Sequence, residues 1–183
     1  MRQAAQCLLR HRMAAGAKLA AARPGSPAEA AAFAKLRSAM GPCLKDARIE
    51  AAPENEALLA GAVAETIYRG RVAELRRSWK PLVPGLPDLG REQAVSRTTE
   101  GWPVAAAVAE CAVEVDSGAA DAFLHSDAGS PDERAAMAQV VATLPNCVPA
   151  GLRVDLSPER LRAEVARAMY RLVASLPRSP LPS

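Results

Sequence analysis

The residues of this chain best suited to chemistry are four cysteines, which occur as two equally spaced pairs. Cys7 and Cys43 lie 36 positions apart, and so do Cys111 and Cys147. Thiols can form disulfides, ligate a metal or act as nucleophiles. The chain has no Cys-x-x-Cys, His-x-x-x-His or His-Glu-x-x-His motif, and a zinc site gathered from all four cysteines would lack the usual ligand spacing. We therefore expect disulfides and no metal site.

The remaining titratable residues form no catalytic set. His11 lies four residues after Cys7 between two arginines, which could activate a thiolate, but a surface histidine beside a bridged Cys7 is the interpretation we adopt. His125 is expected at a solvated helix end. No glycine-rich phosphate loop or nucleophile elbow occurs. Three carboxylates decorate one predicted helix without a facing acid: Glu110, Glu114 and Asp116. The sequence therefore predicts no enzyme and no cofactor.

One set of aromatic and basic residues could form an interaction surface. The dipeptide Tyr-Arg occurs twice, and two tryptophans bracket the middle of the chain. A structural interpretation stands beside this one: tyrosine rings and tryptophans can anchor packing, and arginine near a helix end complements the macrodipole. The candidates are Tyr68, Arg69, Trp79, Trp102, Tyr170 and Arg171. The basic residues around Trp79 lack interleaved aromatics, so nucleic acid is not an expected partner.

Helices are predicted to position these residues. Half of the residues are apolar, but only six are aromatic, so the core must be built from Ala, Leu, Val and Met. Such small side chains suit close helix packing, and runs such as "AEAAAFAKLRSAM" contain no β-branched residue. The fold class predicted is all-α.

The sequence contains an internal duplication. At an offset of 104, residues 7–43 match residues 111–147 at ten of 37 positions, including "GSPAE" against "GSPDE". Further along, "AETIYR" corresponds to "ARAMYR", so Tyr68 corresponds to Tyr170. We predict two tandem disulfide-stapled repeats of three to four helices each, packed as one body.

The repeated Gly-Ser-Pro-x-Glu stretch is typical of a helix start. Serine is a strong N-cap, proline is tolerated at the first helical position, and glutamate three residues after serine completes a capping box. Ser26 and Ser130 are the predicted caps, and Ser157 starts a third helix in the same style. In the second copy Asp116 or Ser117 can cap a shorter helix. The equivalent "HRMAAG" of the first copy lacks such a cap, which leaves a break there open.

The predicted helices bring the cysteines of each copy together. If two segments of about 14 residues, each about 21 Å long, run antiparallel, the start of the first lies beside the end of the second. Four cysteines allow three pairings, and only pairing within each copy treats both copies alike. We predict disulfides Cys7–Cys43 and Cys111–Cys147, each stabilising by about 4 kcal/mol. Disulfides persist in oxidising compartments, so export is expected.

Composition suggests where the repeats begin and end. We predict repeat 1 at residues 1–72, a proline-rich packed connector at 73–102, repeat 2 at 103–175 and a loose tail at 176–183. Four prolines between residues 81 and 103 argue against regular helix through much of the connector, although its leucines are too apolar for a solvated linker.

Charge is unevenly distributed along the chain. Residues 1–80 carry fourteen basic and seven acidic side chains, whereas residues 103–183 carry seven and ten. Such a dipolar chain could pair head to tail or present its basic half to an anionic partner, although drift on solvated faces is the simpler explanation. No run is long and apolar enough for a membrane span, and the first 16 residues do not read as a secretory signal.

The pattern as a whole resembles a family of uncharacterised, exported bacterial α-helical proteins with a duplicated two-cysteine helical repeat. The elements that carry the resemblance are "CLL", "GSPAE", "CL" and "AETIYR" in the first copy, and "CAV", "GSPDE", "CV" and "ARAMYR" in the second. The resemblance covers nearly the whole chain except the middle segment, and it implies export and the disulfides. It implies no activity.

The function predicted is that of a non-enzymatic, exported helical interaction or accessory module of the bacterial cell envelope. It is expected to be periplasmic or secreted. We expect a monomer or homodimer with an unknown protein partner. Two alternatives stay open. The Ala-rich helices could carry a small apolar ligand between the repeats. The same cysteines could also form a cytoplasmic thiol redox switch.

Overall fold

The structure, a computed structural model, describes residues 1–50, 52–75, 87–148 and 150–175. Within these ranges the chain forms eight α-helices, one short 3-10 helix and no strand, which confirms the all-α prediction. The helices are α1 (Arg2–Ala21), α2 (Pro27–Asp46), α3 (Pro53–Leu75), α4 (Pro87–Thr99), α5 (Val104–Val115), α6 (Ser117–His125), α7 (Pro131–Thr143) and α8 (Pro158–Ser175). The 3-10 helix is Leu144–Asn146.

The two Gly-Ser-Pro segments start helices as predicted. Ser26 Oγ accepts from the backbone N–H of Glu29 at 3.2 Å, and Ser130 Oγ accepts from that of Glu133 at 3.0 Å. The glutamates differ from a standard capping box. Each carboxylate accepts from the preceding glycine N–H, at Gly25 and Gly129, because the serine N–H groups already donate to carbonyls upstream. Both glycines have positive φ, near 74° and 81°, which a side chain would strain.

A backbone break occurs at equivalent positions in both halves. Asp116 separates α5 from α6 with φ −144° and ψ 82°, and its carboxylate caps α6 at the Ala119 N–H. In the first half Arg12 has φ −144° and ψ 49°, which kinks α1 at the position 104 residues earlier. The break that the sequence left open therefore exists as a kink without a side-chain cap. Buried leucines on both sides of it, Leu8 and Leu19, hold the two parts of α1 in the core.

Helices α1, α3, α8 and α5 pack side by side in that order. Helix α2 packs against α1, α1 against α3, α3 against α8, and α8 against both α5 and α6. Helix α7 packs against α6, and α4 against α5. The core between them is made of small and aliphatic side chains with few aromatics, as the composition predicts.

The α3–α8 contact is unusually close at Gly61. A Cβ built on Gly61 would overlap the Cβ and Cα of Ala163 and lie 2.8 Å from the Ala163 carbonyl oxygen. Because the obstruction is mostly backbone, it cannot be relieved by a side-chain rotation. The two helices can approach this closely only because position 61 has no side chain.

Replacing Gly61 by alanine should therefore lower the free energy of unfolding by about 1–3 kcal/mol, the usual cost of overpacking, in spite of alanine's better helix propensity. The matched control is Gly70→Ala on the same helix, where an added Cβ meets nothing within 4 Å. That change should raise stability by up to about 1 kcal/mol. Urea denaturation of both variants measures the difference. Equal effects of the two changes would contradict the close packing.

The connector differs from its prediction. The prolines argued against regular helix through much of residues 73–102, but residues 87–99 form α4, so that expectation is wrong for this part. Pro87 occupies the first residue of the helix, where a missing N–H breaks no bond. Ala94 is fully buried and α4 packs against α5, in keeping with a packed connector. Residues 76–86, Trp79 among them, lie outside the described residues, as does the predicted loose tail.

Candidate functional site

Both disulfides predicted from the sequence are present, and they are built alike. Cys7 is bonded to Cys43 and Cys111 to Cys147, each with a Cα–Cα distance of 5.6 Å. The first joins α1 to α2, and the second joins α5 to the residue that follows the 3-10 helix. The second is fully buried, whereas Cys7 is 8% exposed. His11 is exposed on α1.

The tyrosines of the predicted interaction surface are packed in the core. Tyr68 is 3% and Tyr170 is 8% exposed, so neither ring offers much surface to a partner. The Tyr68 hydroxyl donates to Asp121 Oδ1 at 2.5 Å, and Nδ1 of His125 lies 3.0 Å from the same oxygen. Arg69 donates to Glu65 and to the His125 carbonyl, both at 3.4 Å. Tyr68 and Arg69 thus join α3 to α6.

Arg171 and Trp102, the other described candidates, lie together near α5. Arg171 Nη2 donates to Glu110 at 2.5 Å, and its guanidinium lies 5.6 Å from the Trp102 ring centre. Arg97 lies 5.8 Å from the same ring and forms a two-pronged ion pair with Glu114, at 2.6 and 3.2 Å. Of the three carboxylates that the sequence placed on this helix without a facing acid, Glu110 and Glu114 are paired with arginines, and Asp116 caps α6.

The densest polar cluster surrounds Arg162, which the sequence analysis did not single out. Its guanidinium forms a two-pronged ion pair with Glu65, at 2.8 and 3.0 Å, and donates to Glu133 at 2.7 Å. It also donates to three backbone carbonyls at about 3 Å, those of Phe123, Leu124 and Ser126. One side chain thereby connects α8 with α3, α6 and α7.

The carboxylate of Glu65 is kept ionised by this cluster. Burial would raise the pKa of Glu65, but hydrogen bonding and charge from Arg162, with a smaller contribution from Arg2, hold the pKa below its ordinary value. The pKa of Arg162 is raised in turn: burial alone would lower it, and the carboxylates of Glu65 and Glu133 outweigh burial. Both members of the pair are charged at neutral pH.

A second arginine of α8 pairs with the first half of the chain. Arg167 is 2% exposed and donates to Glu29 at 2.5 Å, so the capping glutamate of α2 also neutralises a buried guanidinium. Burial lowers the pKa of Arg167, and Glu29 opposes that shift. Arg171 lies one turn further along α8 and faces Glu110 of α5. At this pair burial prevails and raises the pKa of Glu110.

The shifts of Glu110 and Glu65 have opposite consequences for stability. Because the folded pKa of Glu110 is raised, its stabilising contribution is complete below the unfolded value near 4.5 and is lost as pH rises through the folded pKa. The contribution of Glu65 to stability is present above the unfolded pKa near 4.5, and it is lost as pH falls through the lowered folded pKa.

Glutamine variants should separate the two contributions. As pH rises above 4.5, the wild type should lose stability relative to Glu110→Gln. As pH rises toward 4.5 from below, the wild type should gain stability relative to Glu65→Gln. Unfolding free energies measured between about pH 3 and pH 8 give both differences. Slopes of the same sign for the two variants would contradict the assignment.

Comparisons with known proteins give no relative: no protein-family model, no curated protein and no solved structure matches this chain. Within the described residues, no group of three or more His, Cys, Asp or Glu side chains is arranged to hold a metal ion. No helix of the same residues is long and apolar enough to cross a membrane. The function must be inferred from the chain's own residues.

Proposed function

We propose that this chain is a non-enzymatic interaction or accessory module that works in an oxidising compartment, with the bacterial cell envelope as its setting. The observation that carries the proposal is the pair of buried disulfides at equivalent positions, each closing a segment of the same length. Structural disulfides of this kind persist in secreted and periplasmic proteins and are rare in the cytosol.

We further propose that two tandem repeats pack as one body about an approximate twofold axis. The correspondence of Tyr68 with Tyr170 also aligns Gly61 with Ala163, and these two residues are in contact between α3 and α8. A residue that touches its own equivalent is expected at a twofold axis. The kinks at Arg12 and Asp116 are 104 residues apart and share the same φ, which supports the same arrangement.

The charge clusters fit this arrangement. Glu29 and Glu133 are equivalent, and Glu29 pairs with Arg167. The alignment that matches the two tyrosines also matches Glu65 with Arg167. The equivalent of the Glu29–Arg167 pair is therefore Glu133 facing Glu65, which are two like charges. Arg162 lies between Glu65 and Glu133 and pairs with both, and Arg2 and Arg69 add positive charge beside Glu65. The buried arginines thus bind the helices together, which supports a structural role rather than a catalytic one.

Alkylation of the full chain with and without reductant, followed by intact-mass analysis, tests the compartment. Protein taken directly from its native compartment should take up no alkylating groups until it is reduced, and four afterwards. Four free thiols in the unreduced sample would overturn the proposal. A reduction potential below about −300 mV would be that of structural disulfides, whereas a higher value would favour a thiol switch.

A further inference from the structure

The α1–α2 pair carries exposed basic side chains that form no ion pair with any described residue. Residues 2–48 hold nine basic and two acidic side chains. Arg2 pairs with Glu65, and Glu29 pairs with Arg167. The other basic side chains are all exposed, and none forms an ion pair within the part of the chain that the structure describes. They are Arg10, Arg12, Lys18, Arg23, Lys35, Arg37, Lys45 and Arg48. We call them the basic set.

The fold does not require positive charge at these positions. Residues 104–148, which include the equivalent helices, hold seven acidic and one basic side chain. Arg10, Arg12 and Arg23 correspond to Glu114, Asp116 and Asp127. Acids there have structural roles, since Glu114 pairs with Arg97 and Asp116 caps α6. The cations at the equivalent places have no such contacts, which directs attention to something outside the chain.

A second copy of the chain is a poor match for the basic set. Four of the seven acids in residues 104–148 are bonded within the fold: Glu110, Glu114, Asp121 and Glu133. Only Asp116, Asp127 and Asp132 are exposed. Asp155 and Glu159, further along, are also exposed. Five carboxylates cannot neutralise eight cations, so head-to-tail pairing through these charges would leave part of the basic set unpaired.

An anionic lipid surface matches the basic set better than a nucleic acid does. Met13, next to Arg12, is 58% exposed, and it is the large hydrophobic side chain that the pair presents to solvent. A flexible apolar side chain among cations suits the boundary between headgroup phosphates and acyl chains, whereas it adds nothing to phosphate binding on a nucleic acid. Phe33, the pair's aromatic residue, is half-buried and not free to stack on bases. Arg12 and Arg37 lie near the midpoints of α1 and α2.

We propose that the α1–α2 pair binds membranes that contain anionic phospholipids. Those members of the basic set that share an exposed face with Met13 contact the headgroup phosphates, and Met13 enters the boundary with the acyl chains. This inference rests on the proposed role as an interaction module and names what that module binds.

Vesicle sedimentation with the oxidised full chain tests the inference. The chain should bind vesicles of phosphatidylcholine mixed with phosphatidylglycerol, should not bind phosphatidylcholine alone, and should bind more weakly as salt is raised. The triple variant Arg10→Glu, Arg12→Asp, Arg23→Asp takes its residue types from the equivalent positions of the second half. Its partition should fall by at least about 100-fold, since each cation near an anionic surface contributes about fivefold.

A single-residue pair controls for net charge. Arg12→Asp and Arg153→Glu change the net charge equally, and both positions are exposed without an ion pair. Arg12→Asp should weaken vesicle binding by about fivefold or more, and Arg153→Glu by less than about twofold, since it lies outside the α1–α2 pair. Equal losses would mean attraction by overall charge and would overturn the assignment of the surface.

Absence of binding to anionic vesicles would overturn the lipid surface. So would binding to a short DNA duplex that is tighter than binding to vesicles and is abolished in the triple variant. A salt-sensitive dimer that the triple variant dissociates would overturn it as well. Intact mass after alkylation of the same sample separates the two proposals. Intact disulfides without vesicle binding would refute only the lipid surface, whereas free thiols in protein from its native compartment would refute the proposed function.

Discussion

Replacing Arg162 by methionine is expected to lower the free energy of unfolding by about 3–5 kcal/mol at pH 7, the usual result of removing one partner of a buried ion pair. The change leaves Glu65 and Glu133 without their shared cation and three backbone carbonyls without a donor. Arg153→Met is the control, because that side chain is exposed, and it should alter stability by less than about 0.5 kcal/mol.

The pH dependence of the Arg162→Met variant identifies the cause. Without the guanidinium, the pKa of Glu65 moves up from its lowered value, because burial still raises it and Arg162 supplied the largest of the lowering contributions. The wild type loses the contribution of Glu65 as pH falls below 4.5 and the variant has less of it to lose, so the stability difference between them should shrink as pH falls from 4.5. Adding Glu65→Gln should recover part of the loss at pH 7. A loss under about 1 kcal/mol, or one that does not change with pH, would show that Arg162 is not the centre of the cluster.

Removing either disulfide should have an effect of similar size. Cys7→Ala with Cys43→Ala, and Cys111→Ala with Cys147→Ala, each release a closed segment with a sequence separation of 36. The chain-entropy model then gives the same loss for both, about 4 kcal/mol. Any difference between the two variants must come from packing in the folded state.

We expect the second disulfide to cost more to remove. All four cysteines are buried, but Cys111 and Cys147 have no exposed surface, so alanine leaves a small cavity there, whereas Cys7 keeps 8% of its surface exposed. Urea denaturation of the two double variants and of the wild type provides the comparison. If the first disulfide were the costlier one to remove, that burial argument would be wrong, and losses below about 1 kcal/mol for both would contradict the entropy estimate.

Much of the fold could be predicted because its signals are local. Helix starts depend on Ser26, Ser130 and their neighbours, and such caps act within one turn. The cysteine pairing follows from two antiparallel segments of equal length. The kink at Arg12 could not be predicted, because no side chain caps it and packing of α1 on its neighbours sets it. Helix α4 was missed because Pro87 was counted as a helix breaker, although proline at a first position is compatible with helix.

The polar clusters were harder to predict than the helices. Arg162 and Glu65 are 97 residues apart, and no local pattern shows that two charged residues on largely apolar helices will meet. The repeat contains one sequence feature that bears on the clusters. It aligns Glu65 with Arg167, and opposite charges at equivalent inward positions indicate that the two residues pair with different side chains. The tyrosines fit the structural interpretation of the duplicated Tyr-Arg pair, since both rings are buried.

The close contact of Gly61 with Ala163 bears on the order of folding. It closes a loop of about 100 residues, and the entropy of closing such a loop must be overcome before the contact stabilises anything. Helix α3 is made before α8, the helix that covers it, and α8 is the last helix among the described residues. The first half therefore keeps an uncovered apolar face until α8 is complete.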